Sequence, residues 1–328
     1  MYASELRNRI REASSVTEIK IFNMSVLLVS KNRDLSSFRE ALLELDPDLD
    51  VDIWPAIEKP ERVQFAVAWN QPKHLFGTFP NLKAVSSLGA GVDHLLEDES
   101  IPEDVKITRI SGGTLATQIS DYVLAALLSI VTRLRDYEHA ASWEPLDKRT
   151  RENLSVGVLG LGSIGMKTAR LISQIGFRTL GLSRTKKEVQ GVETFSSDEM
   201  DDFLTEVNVL VNLLPLTPQT EGILNLDHFK KMRRPGFLIH AGRGEHLVDE
   251  DLIYAIDTDL IQHAWLDAFS QEPLPSSHAF WSRKQITVTP HIAGISRPKE
   301  TALQILENYK RLISGIELND TVDRKKGY

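Results

Sequence analysis

The sequence predicts an α/β protein of two domains, one inserted into the other. Three observations lead there: two successive alternations of apolar runs with helical patterns, a glycine-rich turn at the start of the second, and an amphipathic helix left over at the end. At 328 residues the chain is long for a single core. Apolar residues make up 41% and charged residues 26%, ordinary for a globular protein. The net charge of −8 argues against a nucleic-acid partner, which calls for a concentrated basic face. With no cysteine, disulfides, thiolate nucleophiles and cysteine metal sites are excluded, and a reducing cytoplasm is the expected setting. No apolar run approaches the roughly 18 residues a membrane span needs, so no membrane partner is expected.

Residues 1–23 are polar and mixed in charge. They read as an N-terminal extension without a part in chemistry, the alternative being a translation start at Met24; Glu5, Glu12 and Glu18 count against an organelle-targeting segment. From Met24 on, "SVLLVS" (25–30), "VDIWP" (51–55), "FAVAW" (65–69) and "KAVSSLG" (83–89) read as buried parallel strands, with "KITRI" (106–110) a weaker fifth. Leu35, Phe38, Leu42 and Leu45 share one helical face between the first two. Such an alternation means a parallel sheet covered on both faces. A helix is then expected from Thr117 to about Ala141, apolar around most of its girth as far as Arg133. It must be buried on more than one side, within its own domain or against a second copy of the chain.

The second alternation offers six strands: "SVGVLG" from Ser155, "RTLGLS" (178–183), "VNVLVNLL" (207–214), "GFLIHA" (236–241), "HAWLDAF" (263–269) and "QITVTP" (285–290). Six strands with helices between match a doubly wound dinucleotide fold. The last helix, from about Pro298 to Ser314, has no strand to follow it and can return to cover the first domain. The domains are therefore expected at 24–113 with 293–328, and at 114–292, with a cleft between them and hinges near 112–116 and 292–297.

"LGLGSIG" supplies the phosphate chemistry. Gly160 permits a tight turn, Gly162 lets the backbone approach a pyrophosphate, and Gly165 allows close helix–strand packing. Ser163 and Ile164 open the helix whose free N–H groups and positive dipole suit the anion. An NAD site would carry an acid at the end of the next strand. Here the strand ends in Ser183, Arg184 and Thr185, with Lys186 and Lys187 following. A guanidinium and two hydroxyls suit a 2′-phosphate, so NADP(H) is the expected cofactor.

Arg243 in "HAGRGEH", Glu272 in "DAFSQEPLP" and His291 in "TVTPHIAG" fall where strands of the second sheet end, the place where such folds bind ligands. With "LGLGSIG" ahead of it, this constellation resembles the D-2-hydroxyacid dehydrogenase family over nearly the whole chain from Met24. The segments "LGAGVDH", "LLPLTPQTEGILN", "QEPLP" and "VDRKKGY" are most similar to members that reduce glyoxylate and hydroxypyruvate. The resemblance implies a Rossmann dinucleotide-binding domain inserted into a flavodoxin-like substrate domain, with Arg243, Glu272 and His291 as the catalytic set. The chemistry agrees. Arg243 can bind the oxo and carboxylate oxygens of a 2-oxo acid and stabilise charge growing on the oxo oxygen. His291, as imidazolium, can donate the proton, and a carboxylate such as Glu272 favours the charged ring.

The glycines of "SLGAGVDHL" expose backbone N–H groups that can form an anion nest. The resemblance sets the substrate acid against Ala90 and Gly91, with Gly89 and Trp69 lining the site. It also implies that Asp267 accepts a hydrogen bond from the nicotinamide amide, that Leu214 and Pro215 border the dinucleotide, and that a homodimer forms through the 117–141 helix. The chain departs from the family at His240, where Asn is common, and at Asp121, where many relatives carry a glutamate. His240, His246 and His263 show no metal-ligand spacing and read as structural, so no metal is expected. Two alternatives stay open: a reductase for a bulkier 2-oxo acid, and a dinucleotide-gated binding scaffold of the corepressor kind.

Overall fold

A computed structural model describes residues 24–328 apart from His139, so the extension read at 1–23 lies outside the described residues. The chain divides into two units, residues up to Ile110 with Ser296–Tyr328, and Ser111–Ile295.

The first unit is a five-stranded parallel sheet of β1 (Ser25–Ser30), β2 (Asp50–Ile53), β3 (Val63–Trp69), β4 (Ala84–Ser87) and β5 (Lys106–Thr108), in the order β2-β1-β3-β4-β5. That is the flavodoxin-like order. β1 is buried at every position, as an inner parallel strand covered on both faces must be. Helix α1 (Ser36–Leu45) turns Phe38, Ala41 and Leu42 inward. Leu45, expected on that face, is 41% exposed because the helix ends there and Asp46 is already extended. A single turn, α2 (Asp93–Leu96), follows β4.

The C-terminal helix, α8 (Pro298–Ile313), packs on α1, and the Tyr309 hydroxyl donates to the Met24 carbonyl at 3.3 Å. The tail beyond it is pinned to the same unit. Val322 N–H donates to the Ile107 carbonyl at 2.8 Å, and the Arg324 guanidinium reaches the carbonyls of Ile101, Pro102 and Val105.

The second unit is a seven-stranded parallel sheet. Its strands are β6 (Ser155–Leu159), β7 (Arg178–Ser183), β8 (Glu193–Ser196), β9 (Val209–Asn212), β10 (Gly236–His240), β11 (Ile261–Leu266) and β12 (Ile286–Val288). They lie in the order β12-β11-β10-β9-β6-β7-β8. The direction of winding reverses between β6 and β9, which makes their carboxyl ends the switch point where such sheets bind ligands. The sequence had offered six strands. The seventh, β8, is an edge strand "ETFS" with Phe195 as its one large apolar residue, so it carries no apolar run to announce it.

Helix α3 (Gly113–Thr132) starts before the expected Thr117 and stops well short of Ala141. Arg133 takes a left-handed φ of 57° and ends it, and one further helical turn, Leu134–Tyr137, follows. With 20 residues and a mean hydropathy of 1.5, α3 is long and apolar enough to cross a membrane by length and composition, which corrects the expectation that no apolar run approaches that length. In this unit it is a core layer: Val123, Ala126, Leu127 and Ile130 sit in one cluster with Val156, Val158 and Ile239. It packs on α4 (Ser163–Gln174), with the Ser120 and Thr168 hydroxyls 3.0 Å apart in the buried seam. Helices α5 (Met200–Thr205), α6 (Leu226–Lys231) and α7 (Asp249–Asp257) complete the unit.

Ser111–Gly113 and Ala293–Ile295, given to the substrate domain on sequence grounds, belong to this second unit. Gly113 opens α3, and the amides of Ala293 and Ile295 donate to Asp267 and Gln118.

Candidate active site

The turn after β6 is built for close approach. Gly160 has φ 95°, and a side chain there would meet the Leu213 carbonyl at 2.9 Å and the Leu214 Cα at 3.1 Å. Leu214 and Pro215, half-buried, thus border the glycine turn across the switch point. A Cβ on Gly165 would lie 1.8 Å from the Gly160 carbonyl, so only glycine lets α4 start this close to the strand. Gly162 is the opposite case. It is exposed, and a Cβ there would meet nothing within 4 Å. The N-terminus of α4 has no side-chain cap, so its amides and dipole face that open space. Donors, positive potential and room together fit a dinucleotide pyrophosphate.

At the end of β7, Ser183 is buried and its hydroxyl donates to the Thr185 carbonyl at 2.9 Å, which shapes the turn. Arg184 and Thr185 are exposed at its tip. Lys187 turns back instead, its amine donating to the Leu161 carbonyl at 2.7 Å and bracing the glycine turn. Lys186 pairs with Glu199 at 3.7 Å.

The three candidate catalytic residues converge at the carboxyl end of the same sheet. Gly244 is the reason Arg243 and Glu272 can be neighbours. A Cβ on Gly244 would lie 1.9 Å from the Phe269 carbonyl carbon and 1.9 Å from the Ser270 nitrogen, so the two loops touch backbone to backbone. Glu272 is held by the Phe269 N–H at 3.0 Å. Its two oxygens lie 3.0 and 2.8 Å from His291 Nδ1. Burial pushes the Glu272 carboxyl up, but the His291 hydrogen bond and charge, with the Phe269 amide and the Arg243 charge, hold it below the usual carboxylate range.

His291 has a left-handed φ of 53°, costing a non-glycine residue on the order of 1 kcal/mol. Asp267 holds the loop there. It is 2% exposed; its Oδ1 accepts from the Thr289 hydroxyl at 2.7 Å and the Ile292 N–H at 2.8 Å, and its Oδ2 from the Ala293 N–H at 2.8 Å. Tyr122 on α3 extends the chain, its hydroxyl 2.9 Å from that of Thr289. Burial raises the Asp267 carboxyl above its ordinary value, against the pull of these donors. A carboxylate has about four acceptor sites, so room remains on Oδ2 for another donor.

In the first unit, the turn after β4 is tight. Ser87 Oγ donates to the Gly91 carbonyl at 2.7 Å and accepts the Gly89 N–H at 3.2 Å. The Gly89 amide, read as part of an anion nest, is therefore engaged within the turn. Gly89 is also the close-approach position: a Cβ would meet the Trp69 ring at 2.8 Å. Trp69 stacks edge-on with His94 at 5.3 Å between centroids, and Ala90 and Gly91 sit half-exposed at the tip.

Sequence reasoning passed over Asn212, Tyr122, Thr289 and the inward turn of Lys187. Asn212 had a signal, as the polar residue inside the apolar run "VNVLVNLL" near the switch point.

The family of D-isomer specific 2-hydroxyacid dehydrogenases matches through its NAD-binding domain over residues 122–293. A glyoxylate/hydroxypyruvate reductase A of Photorhabdus laumondii is 34% identical, covering 93% of this chain and 100% of its own length. A D-isomer specific 2-hydroxyacid dehydrogenase of Xanthobacter autotrophicus, solved with NADPH and MES, superposes with a TM-score of 0.89 at 34% identity over 93% of this chain and 100% of that one. An NADPH-dependent glyoxylate/hydroxypyruvate reductase of Sinorhizobium meliloti, solved with NADP and sulfate, gives 0.87 at 34% identity over the same shares.

Proposed function

The chain belongs to the D-isomer-specific 2-hydroxyacid dehydrogenases, and from that premise we propose that it reduces small 2-oxo acids, glyoxylate and hydroxypyruvate first among them, with NADPH. The observation that carries the reading is the contact of His291 Nδ1 with both oxygens of Glu272, beside Arg243. The exposed Arg184 turn at the end of β7, with no acid before Glu188, carries the cofactor choice. Both relatives solved with NADP or NADPH support it.

When bound at the glycine turn, the reduced dinucleotide would supply a hydride to the carbonyl carbon. Arg243 orients the acid and stabilises the negative charge that grows on the oxo oxygen. Glu272 fixes the imidazole through Nδ1, which leaves Nε2–H as the proton to be given to that oxygen. The products are the 2-hydroxy acid, the oxidised dinucleotide and a neutral His291 that keeps its Nδ1 proton towards Glu272. Positioned acid catalysis of this kind contributes roughly 10²–10⁴-fold. Asp267 is assigned to hold the His291 loop and to accept one donor from the nicotinamide amide. For the first unit the proposal is that Ala90 and Gly91, beside Trp69, help to grip the substrate carboxylate. A homodimer through α3 and the segment after it, working in the cytoplasm, completes the reading.

Steady-state kinetics on glyoxylate, hydroxypyruvate, pyruvate and phenylpyruvate with each nicotinamide cofactor test it. Highest kcat/KM is expected for the two small acids with NADPH, and His291→Asn should lower kcat by at least about 100-fold. Turnover equal or better with NADH overturns the Arg184 assignment, and an unimpaired His291→Asn variant overturns the proton donor. A preference for phenylpyruvate selects the bulkier-substrate reading; tight NADPH binding without turnover selects the scaffold.

A further inference from the structure

Behind Arg243 lie three polar side chains that are fully buried: Asn212 at the end of β9, His240 at the end of β10, and His246 in the turn after Arg243. Their hydrogen bonds admit one arrangement of protons. Asn212 Oδ1 accepts the Leu214 N–H at 3.2 Å, which fixes the orientation of the amide. Its Nδ2 therefore donates, and it lies 3.1 Å from His240 Nδ1 and 3.0 Å from His246 Nδ1. His246 Nδ1 also accepts the Arg243 N–H at 3.1 Å. Both Nδ1 atoms must be bare, so each ring is neutral and carries its proton on Nε2. His246 Nε2 spends that proton on the Pro215 carbonyl at 3.2 Å.

Burial is the main reason His240 resists protonation, with the Arg243 charge adding to it, and its pKa is pushed down to about 3. Gly242 leaves the space this cluster occupies. A Cβ there would meet His246 Nδ1 at 2.9 Å and Asn212 Nδ2 at 3.0 Å.

These bonds join two edges that the mechanism needs in register. Asn212 and His246 hold Leu214 and Pro215, which border the glycine turn; His246 holds the main chain of Arg243. We propose that Asn212, His240 and His246 are positioning residues, a neutral hydrogen-bonded lattice that sets the main chain of Arg243 against the Leu214–Pro215 edge and so aims the guanidinium at the oxo acid. His240 fills this role by occupying the second N–H of the Asn212 amide, so that the first points only to His246. The inference rests on the reading of Arg243 as the group that binds the 2-oxo acid.

A double-mutant cycle tests it. His246→Phe keeps the ring volume and removes both nitrogens; His246→Asn restores an acceptor near the Nδ1 position. In an otherwise unaltered chain, His246→Phe should lower kcat/KM for the 2-oxo acid by about 10- to 100-fold, the scale of a displacement near 1 Å, and His246→Asn should recover most of it. If His246 acts through Arg243, the Phe substitution should cost less than about threefold once Arg243→Lys is present, because coupled residues are not additive. Full multiplicative losses overturn the positioning role.

The lattice is also read without any substitution or turnover, from the ring ¹⁵N shifts of the unaltered protein. His240 and His246 should both be neutral Nε2–H tautomers at pH 7; an Nδ1–H or doubly protonated ring at either position overturns the proposal even where the Phe variant fails to fold. If the unaltered protein turns over no 2-oxo acid, the functional reading falls and the positioning role falls with it, whereas turnover with an additive cycle overturns the positioning role alone.

Discussion

Gly244 is where one missing side chain decides the geometry of the site. With the Phe269 carbonyl carbon and the Ser270 nitrogen each 1.9 Å from where a Cβ would stand, the obstacle is main chain and cannot rotate away. Gly244→Ala should push the Arg243 turn off the loop that carries Glu272. The expected cost is about 1–3 kcal/mol of stability, the range for overpacking a filled site, together with at least a tenfold loss of kcat/KM. Thermal melting and steady-state rates check both; an alanine variant with unchanged melting point and rate would mean the loops are not in contact. Arg243, Glu272 and His291 could be singled out as candidates in the sequence because each sits in a short segment after a strand, where chemistry-bearing residues are expected. The lattice behind them could not. Its partners are 28 and 34 positions apart, and only the parallel register of β9 and β10 brings them together.

The elements show where local pattern is enough and where it is not. β7 coincides with its apolar run because every position after Arg178 is buried. β8 was invisible because an edge strand needs little apolar surface, and α3 overran its expected start because Gly112 and Gly113, both at positive φ, read as a loop. The far end of α3 carries the dimer proposal. Past Arg133, Leu134 is 65% exposed and Trp143 is 101% exposed, two large apolar side chains for a second copy to cover. Sedimentation should show a dimer for the unaltered chain and a monomer for a Leu134→Asp, Trp143→Asp variant with intact far-UV dichroism. An unaltered chain that sediments as a monomer would end the proposal.

At the scale of the whole molecule, one buried and one half-buried imidazole set an acid limit. His240 is pushed down to about 3 and His263 to about 4, burial being the first cause in each case, against an unfolded value near 6.5. Between those values the unfolded chain binds more protons than the folded one, so stability rises with pH across the window and is lost as pH falls below about 6.5. Glu272, held below its ordinary value, acts in the same direction further into acid. The urea midpoint should therefore change little from pH 7.5 to about pH 6.5 and then drop towards pH 5, and His240→Asn should flatten that slope. A midpoint constant across the range would show that neither ring is held neutral. The division into two units was itself legible, because the leftover helix at the end of the sequence had no second-sheet strand to follow it.

That division also orders how the molecule can be made. Ser111–Ile295 is one uninterrupted stretch and can fold as it leaves the ribosome. The first sheet emerges before it yet must wait for chain that follows the second unit, since α8 covers α1 and Thr321 bridges to Thr108. A nascent chain stalled between Val288 and Pro298 would thus have every strand of its dinucleotide-binding sheet while the apolar face of α1 still lacked its cover.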